Sequence, residues 1–185
     1  MNIRIYYQQW DEKQKNSHEL LEKAVRQYAD EECLLLPEKL ALTAMENNQK
    51  PRFENAEDIY FSISHSGAWW TCAVAREEVG LDIQQEQKCR TERLARRFFH
   101  PKEREWLEKN GYLYFCKMWA YKESYVKYTG VGLIRGMDYF SVISPEGDLT
   151  GEKDVCQQSV EFQQDCPMVV TTKEKCRIFL QQLKE

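Results

Sequence analysis

Three strand-like segments follow one another in the middle of the chain and constrain its fold more than any other feature. Residues 58–64, DIYFSIS, alternate apolar and polar side chains, and residues 69–75, WWTCAVA, follow shortly after them. This spacing predicts a β-hairpin with its turn at His65-Ser66-Gly67. A short charged turn then leads into a third strand, VGLDIQ, at residues 79–84.

The remaining patterns place helices and strands on both sides of this hairpin. Residues 2–8 alternate as a strand, and residues 17–32 have the spacing of an amphipathic helix with Ser17 as its N-cap. Later patterns predict helices at 91–99, 102–109 and 111–128, strands at 137–143, 155–163 and 167–172, and a charged tail of helical character at 173–185. The order strand, helix, strands thus occurs twice. We predict an α+β fold of two similar halves in a pseudo-two-fold arrangement, residues 1–77 and 78–185.

Composition and charge exclude several classes of protein. Of the 185 residues, 42% are hydrophobic, which is enough to form a core. The net charge of −4 gives no overall electrostatic attraction for nucleic acid. No segment has the length and apolarity of a signal peptide or a membrane helix. The seven cysteines contain no C-x-x-C pair, which argues against a zinc site or a disulfide framework. We expect a cytoplasmic monomer with free thiols and no membrane or nucleic-acid partner.

The segment VGLDIQ carries one acidic side chain in a strand. Because side chains alternate along a strand, its apolar residues are expected to face the core, and Gly80, Asp82 and Gln84 the opposite side. Gly80 is expected to leave open space beside Asp82, where Mg²⁺ could find the oxygen ligands that it prefers. Taken alone, Asp82 is better explained as an aspartate that faces water at a strand edge.

The helix predicted at residues 111–128 carries charged side chains among aromatic ones. Trp119, Glu123 and Lys127 follow at intervals of four and share a face, with Lys122 beside them. Such charges are costly to bury unless they are paired or bind an ion. Two interpretations stay open: an ordinary amphipathic helix with a surface Glu123–Lys127 pair, or a site in which Glu123 is a metal ligand or base and the lysines attract a polyphosphate.

Two further segments have both a plain and a functional interpretation. Residues 64–67, SHSG, form either a simple hairpin turn or an anion site made of a histidine and hydroxyl groups. Residues 88–104 carry seven Lys or Arg against two Glu, which suits either a solvated helix face or an acidic partner.

Taken in order, these segments resemble the Sfp-type 4′-phosphopantetheinyl transferases. The family pattern is roughly I-S-H-S, then (I/V)-G-x-D-x-E, then W-x-x-K-E-(A/S)-x-x-K. Here the matching stretches are FSISHSG at 61–67, VGLDIQ at 79–84 and WAYKESYVK at 119–127. Lys50-Pro51 is similar to the family's G-K-P element, and KYTGVGL at 127–133 to its K-x-x-G-x-G-L. The resemblance covers about residues 49–172.

The resemblance implies an enzyme that binds coenzyme A between two α+β halves. It implies transfer of the 4′-phosphopantetheine moiety to a serine of an apo acyl or peptidyl carrier protein, with release of adenosine 3′,5′-bisphosphate. The implied Mg²⁺ ligands are Asp82, Glu123 and Gln84. The implied contacts to the phosphates of coenzyme A are Lys50, Ser64, His65 and Lys127. The implied catalytic residues are Glu123, as general base, and Lys122, facing the pyrophosphate or the leaving group.

Other regions of the chain acquire a role from the same resemblance, and two of them depart from the family pattern. Residues 93–99, RLARRFF, are similar to a family region that lies close to the carrier protein, and the acidity of carrier proteins would explain the basic segment 88–104. Gln84 replaces a second acid, so weaker metal binding is expected, with the third ligand open between Gln84, Ser66 and water. The basic segment that the family usually has before the first helix is missing or reduced to residues 10–16, WDEKQKN. The alternative function is a non-catalytic relative that binds coenzyme A or a carrier protein as a scaffold.

Overall fold

The computed structural model describes residues 2–10, 16–43, 50–86, 91–131 and 137–184. Within them the chain forms two β-sheets and four α-helices, so the predicted α+β class is confirmed. The strands are β1 Asn2–Gln9, β2 Tyr60–Ser66, β3 Trp69–Ala75, β4 Gly80–Ile83, β5 Cys156–Gln163, β6 Cys166–Thr172 and β7 Arg177–Gln182. The helices are α1 Ser17–Glu31, α2 Thr91–Phe98, α3 Pro101–Asn110 and α4 Phe115–Thr129.

The first sheet has the strand order β2-β3-β1-β7 and carries α1 on one face. The predicted hairpin is confirmed, but β2 continues through His65 and Ser66, so that Ser66 pairs with Trp69 and the turn is shorter than predicted. Gly67 has a φ of 54°, a left-handed value that favours glycine. The helix α1 is capped by Asn16, whose Oδ1 accepts from the backbone of His18 at 3.1 Å, rather than by the predicted Ser17.

The second sheet has the order β4-β6-β5, and α4 packs directly on it. A Cβ atom placed on Gly80 would lie 2.0 Å from the carbonyl oxygen of Ser124. The helix backbone therefore fills the space beside Asp82 that the sequence predicted to be open, and Gly80 serves helix–strand packing. At its end, α4 stops where Gly130 adopts a φ of 69°, as predicted.

Two predicted elements differ in the structure. Residues 137–143 form turns with one isolated bridge, Ile143–Leu149, because their apolar side chains Phe140 and Val142 fill the core beside α4 without a partner strand. The tail predicted as helical contains β7, which pairs in parallel with β1. The second predicted half thus contributes a strand to the first sheet, and the boundary between residues 77 and 78 stays a prediction.

The helices and the cysteines can be compared with the expectation of no membrane helix and no disulfide framework. Within the described ranges, no helix combines the length and apolarity that a bilayer span requires. Cys33, Cys72, Cys156, Cys166 and Cys176 are free thiols, and Cys89 lies outside the described residues.

Candidate active site

A row of serines joins the two sheets where the charged residues lie. Ser62, Ser64 and Ser66 occupy alternate positions of β2, and their Oγ atoms accept from the backbone amides of residues 81, 83 and 85 at 2.9, 3.3 and 2.9 Å. Hydroxyl groups thus replace backbone carbonyls as acceptors between β2 and β4. Because the two strands belong to different sheets, this row holds β4 and its aspartate at the junction.

Asp82 lies at this junction with both carboxylate oxygens hydrogen-bonded. Its Oδ1 accepts from Ser64 Oγ and from Lys127 Nζ, each at 2.7 Å, and its Oδ2 accepts from Gln84 Nε2 at 2.7 Å. Only 2% of Asp82 is exposed. It is therefore a buried, paired carboxylate and not the water-facing aspartate that the strand pattern alone favoured.

Glu123 projects from α4 into the same region and is 8% exposed. Burial raises the pKa of its carboxyl group to about 7, the negative charge of Asp82 adds to this effect, and Lys127 opposes it. A carboxyl group that titrates near neutral pH can accept a proton from a substrate hydroxyl. Glu123 therefore has the electrostatic properties of a general base.

The raised pKa of Glu123 predicts that the protein becomes less stable as the pH rises. Its ordinary value is 4.5 and its value in the fold is about 7, so folding favours the protonated form. The resulting stabilisation is complete below pH 4.5 and is lost as the pH rises through about 7. Urea unfolding without divalent metal, at several pH values in this window, should show wild type losing stability relative to Glu123→Gln. Parallel pH profiles for the two proteins would contradict the shift.

Lys122 lies in the core and not in the site. Its ammonium group is fully buried, donates to Glu103 Oε1 at 2.7 Å and to the Phe140 carbonyl at 2.8 Å, and lies 4.0 Å from the Phe140 ring centroid. Glu103 is also fully buried and accepts from the backbone amides of Val142 and His100 at 2.9 and 2.8 Å. Glu103 and Phe140 enclose the ammonium group in this structure, and the role of Lys122 facing the pyrophosphate or the leaving group stays a prediction.

Two of the residues predicted to contact phosphates lie at the edges of the site. The Lys50 ammonium pairs with Glu78 and donates to the Val79 carbonyl at 2.5 Å, at the start of β4. Burial lowers its pKa, and Glu78 opposes this effect. His65 is exposed on β2 and stacks on Trp10, with ring centroids 5.4 Å apart. The structure thus brings Ser64, Lys127 and Asp82 into direct contact and leaves His65 facing solvent.

A pocket of about 220 Å³ lies beside the charged residues. It is lined by Ser66, Gln84, Gln85, Leu94, Phe115, Cys116 and Trp119. Because Gln84 contacts both Asp82 and this pocket, the two features adjoin. Trp119 packs against three phenylalanine rings, at centroid distances of 5.5 to 5.7 Å, and fixes the wall that α4 contributes.

The residues at the junction fit a magnesium ion better than a zinc ion. Among the residues that the structure describes, no three His, Cys, Asp or Glu side chains lie where they could hold a metal ion together. Mg²⁺ commonly uses only one or two carboxylates and completes its shell with water and substrate phosphates. Asp82 and Glu123, with the amide oxygen of Gln84, offer that kind of set.

The chain is similar to known proteins over the part that contains this junction. Residues 78–166 match the 4′-phosphopantetheinyl transferase superfamily. A 4′-phosphopantetheinyl transferase of Bacillus subtilis is 40% identical over 97 residues, which cover 50% of this chain and 43% of that protein. The 4′-phosphopantetheinyl transferase Sfp of Bacillus subtilis strain 168 is 38% identical over 97 residues, with the same coverage of both chains.

A third relative is similar over a longer stretch. The 4′-phosphopantetheinyl transferase psf-1 of Bacillus pumilus is 32% identical over 136 residues, 71% of this chain and 58% of that protein. The chain thus spans about half the length of the curated relatives that it matches. These matches confirm the family resemblance that the ordered motifs predicted.

Proposed function

This chain is a relative of the Sfp-type 4′-phosphopantetheinyl transferases, and from that premise we propose that it transfers 4′-phosphopantetheine from coenzyme A to a serine of an apo carrier protein. The observation that carries the proposal is the meeting of Asp82 from β4 with Glu123 and Lys127 from α4 at the junction of the two sheets. Two carboxylates and a lysine suit a reaction that handles a pyrophosphate.

The carboxylates are proposed to hold Mg²⁺. Asp82 and Glu123 would bind the ion, and the oxygen of Gln84 would reach it after the amide turns from the hydrogen bond that it donates to Asp82. When bound, the ion would neutralise the charge that develops on the pyrophosphate oxygens. Ser64 retains its hydrogen bond to Asp82 Oδ1 and keeps that carboxylate oriented.

The proposed step is a displacement at phosphorus. The serine hydroxyl of the carrier forms a bond to the phosphorus that bears the pantetheine arm, and the bond from that phosphorus to the bridging oxygen breaks. Adenosine 3′,5′-bisphosphate leaves with the bridging oxygen. Glu123, the buried carboxylate beside Asp82, would accept the hydroxyl proton as the general base. Lys127 is placed to stabilise the charge on the phosphates.

The surroundings of the junction support binding of both substrates. The pocket beside Gln84 combines apolar walls with polar groups and suits the amide-containing pantetheine arm. Lys50 and His65 lie at the edges, where they could reach the phosphates of coenzyme A. On α2, the exposed Arg93, Arg96 and Arg97 offer positive charge to an acidic carrier protein. Residues 88–90 of the predicted basic segment lie outside the described residues.

One experiment tests the proposed function. The protein is incubated with an apo acyl or peptidyl carrier protein, coenzyme A and Mg²⁺, and the carrier is weighed by mass spectrometry. A gain of one phosphopantetheine group that depends on coenzyme A supports the transferase. Binding of coenzyme A or carrier without any mass gain, over several carriers, would instead identify the non-catalytic scaffold. Omitting Mg²⁺ tests the metal separately.

Replacing Gln84 by glutamate is expected to lower the Mg²⁺ concentration that gives half-maximal transfer. A third carboxylate beside Asp82 and Glu123 would add the negative charge that the amide lacks. The rate is measured against Mg²⁺ concentration for wild type and Gln84→Glu. Gln163→Glu, which makes the same change at the exposed end of β5, is the control. An unchanged Mg²⁺ dependence in Gln84→Glu would place this residue away from the metal.

A further inference from the structure

Lys127 forms an ion pair with Asp82, the carboxylate that the proposed function assigns to a metal ion. Its Nζ lies 2.7 Å from Asp82 Oδ1, and the two side chains are 29% and 3% exposed respectively. A carboxylate buried to this degree requires a compensating positive charge or several donors. Within the described ranges, Lys127 supplies the one ion pair of Asp82, so its ammonium group balances the charge of the aspartate.

The other groups on Asp82 are neutral donors. Ser64 shares Oδ1 with Lys127, and Gln84 holds Oδ2, each at 2.7 Å. A cation that reaches Oδ1 must therefore displace a donor from it. Of the two donors to Oδ1, only Lys127 carries a positive charge. A metal ion at this oxygen would be repelled by the ammonium group and would therefore compete with the lysine.

We infer that Lys127 is a built-in counter-ion that keeps the metal site closed until a phosphate-bearing substrate draws its ammonium group away from Asp82. The inference rests on the proposed function, because that function makes Asp82 a metal ligand and a pyrophosphate the substrate. Lys127 is the third residue from the end of α4, and its partly exposed side chain has a flexible four-carbon stem. The ammonium group can thus change partners while the helix backbone stays in place.

This exchange couples the two ligands. With no substrate, a divalent ion meets an ammonium group on Asp82 and binds weakly. Once a phosphate accepts the hydrogen bond of Lys127, the carboxylate is released for the metal, so coenzyme A strengthens metal binding. Thermodynamic linkage then requires that the metal strengthen the binding of coenzyme A by the same factor.

The experiment uses Mn²⁺ as the probe and follows free Mn²⁺ by electron paramagnetic resonance, first without coenzyme A. Lys127→Met keeps the length of the side chain but removes its charge, and should bind Mn²⁺ about tenfold more tightly than wild type, equivalent to about 1.4 kcal/mol. Lys117→Met, at a partly exposed position elsewhere on α4, is the matched control and should bind Mn²⁺ like wild type. Lys127→Gln provides a second neutral variant with the same expectation.

Adding coenzyme A completes the test. Coenzyme A should strengthen Mn²⁺ binding by a larger factor in wild type than in Lys127→Met, where no ammonium group has to leave. A measurement on wild type alone uses the side-chain NMR signal of Lys127, which should shift when coenzyme A binds without metal.

Three results would overturn the inference. The first is that wild type and both folded Lys127 variants bind Mn²⁺ with equal affinity. The second is that Lys117→Met gains as much Mn²⁺ affinity over wild type as Lys127→Met does. The third is an NMR signal of Lys127 that coenzyme A leaves unchanged. None of these measurements involves a carrier protein. Failure of the proposed transferase function would instead appear as a carrier that gains no mass, whatever the Mn²⁺ titrations show.

Discussion

Replacing Glu123 by glutamine is expected to slow transfer of phosphopantetheine by a factor of about 10²–10⁴. Glutamine keeps the length and the oxygen of the side chain but can neither accept the serine proton nor offer a negative charge to a metal. The carboxyl group is buried, and the acid beside it, Asp82, already accepts hydrogen bonds from Ser64, Gln84 and Lys127. The initial rate of carrier modification by mass spectrometry measures the effect.

The control for this variant is Glu105→Gln, which makes the same chemical change at an exposed position of α3. Its rate should stay within about twofold of wild type, since surface substitutions away from a site have small effects. The dependence of the wild-type rate on pH provides an independent check. The rate should rise with pH as Glu123 loses its proton, because the deprotonated form is the active one; bound Mg²⁺ would move this rise below the pKa of about 7 that Glu123 has without metal. A Glu123→Gln protein that transfers at the wild-type rate would remove Glu123 from the chemistry.

Replacing Lys122 by methionine is expected to lower the free energy of unfolding by about 3–5 kcal/mol. Methionine fills much of the same volume, but Glu103 would then lose the ammonium group that balances its fully buried carboxylate. Glu103 also holds the start of α3 and the backbone of Val142, so the loss disturbs three segments of the core. Urea unfolding followed by circular dichroism measures the change.

A double variant separates the charge from the packing. Adding Glu103→Gln to Lys122→Met removes the unpaired carboxylate while keeping an oxygen to accept from Val142. The double variant should be clearly more stable than Lys122→Met alone, because two neutral side chains carry no unpaired buried charge. Lys109→Met, at the exposed end of α3, should leave the stability nearly unchanged. Equal stability of the single and double variants would mean that the Lys122–Glu103 pair is not a coupled unit.

The pattern of side chains predicted the elements of the fold better than it predicted their partners. The pattern of side chains predicted β1, β2, β3 and β4, although β3 and β4 are buried on both faces and not on one. The segment that forms β7 was predicted to be helical. Its strand conformation depends on pairing with β1, which is distant in the sequence. Pairing across such a separation leaves no local trace in the sequence.

The candidate site shows the same limit at the level of single residues. Intervals of four along α4 predicted that Glu123 and Lys127 share a face, and the structure brings both near Asp82. The same reasoning placed Lys122 beside Glu123 in the site and did not predict its ion pair with Glu103. Glu103 lies 19 residues away on α3, and no periodicity of the sequence indicates this contact. The serine row had a visible signal, Ser at positions 62, 64 and 66, but its acceptor role became evident only with β4 in place.

The pairing of β7 with β1 has a consequence for the biosynthesis of this protein. The segments β1, α1, β2 and β3 are synthesised first and can begin to assemble, yet one edge of β1 has no partner until residues 177–182 have been made. A strand edge with free backbone groups is a template for pairing with other chains. The growing polypeptide therefore carries an open strand edge from the synthesis of β1 until β7 has been made, and the first sheet cannot be completed before then.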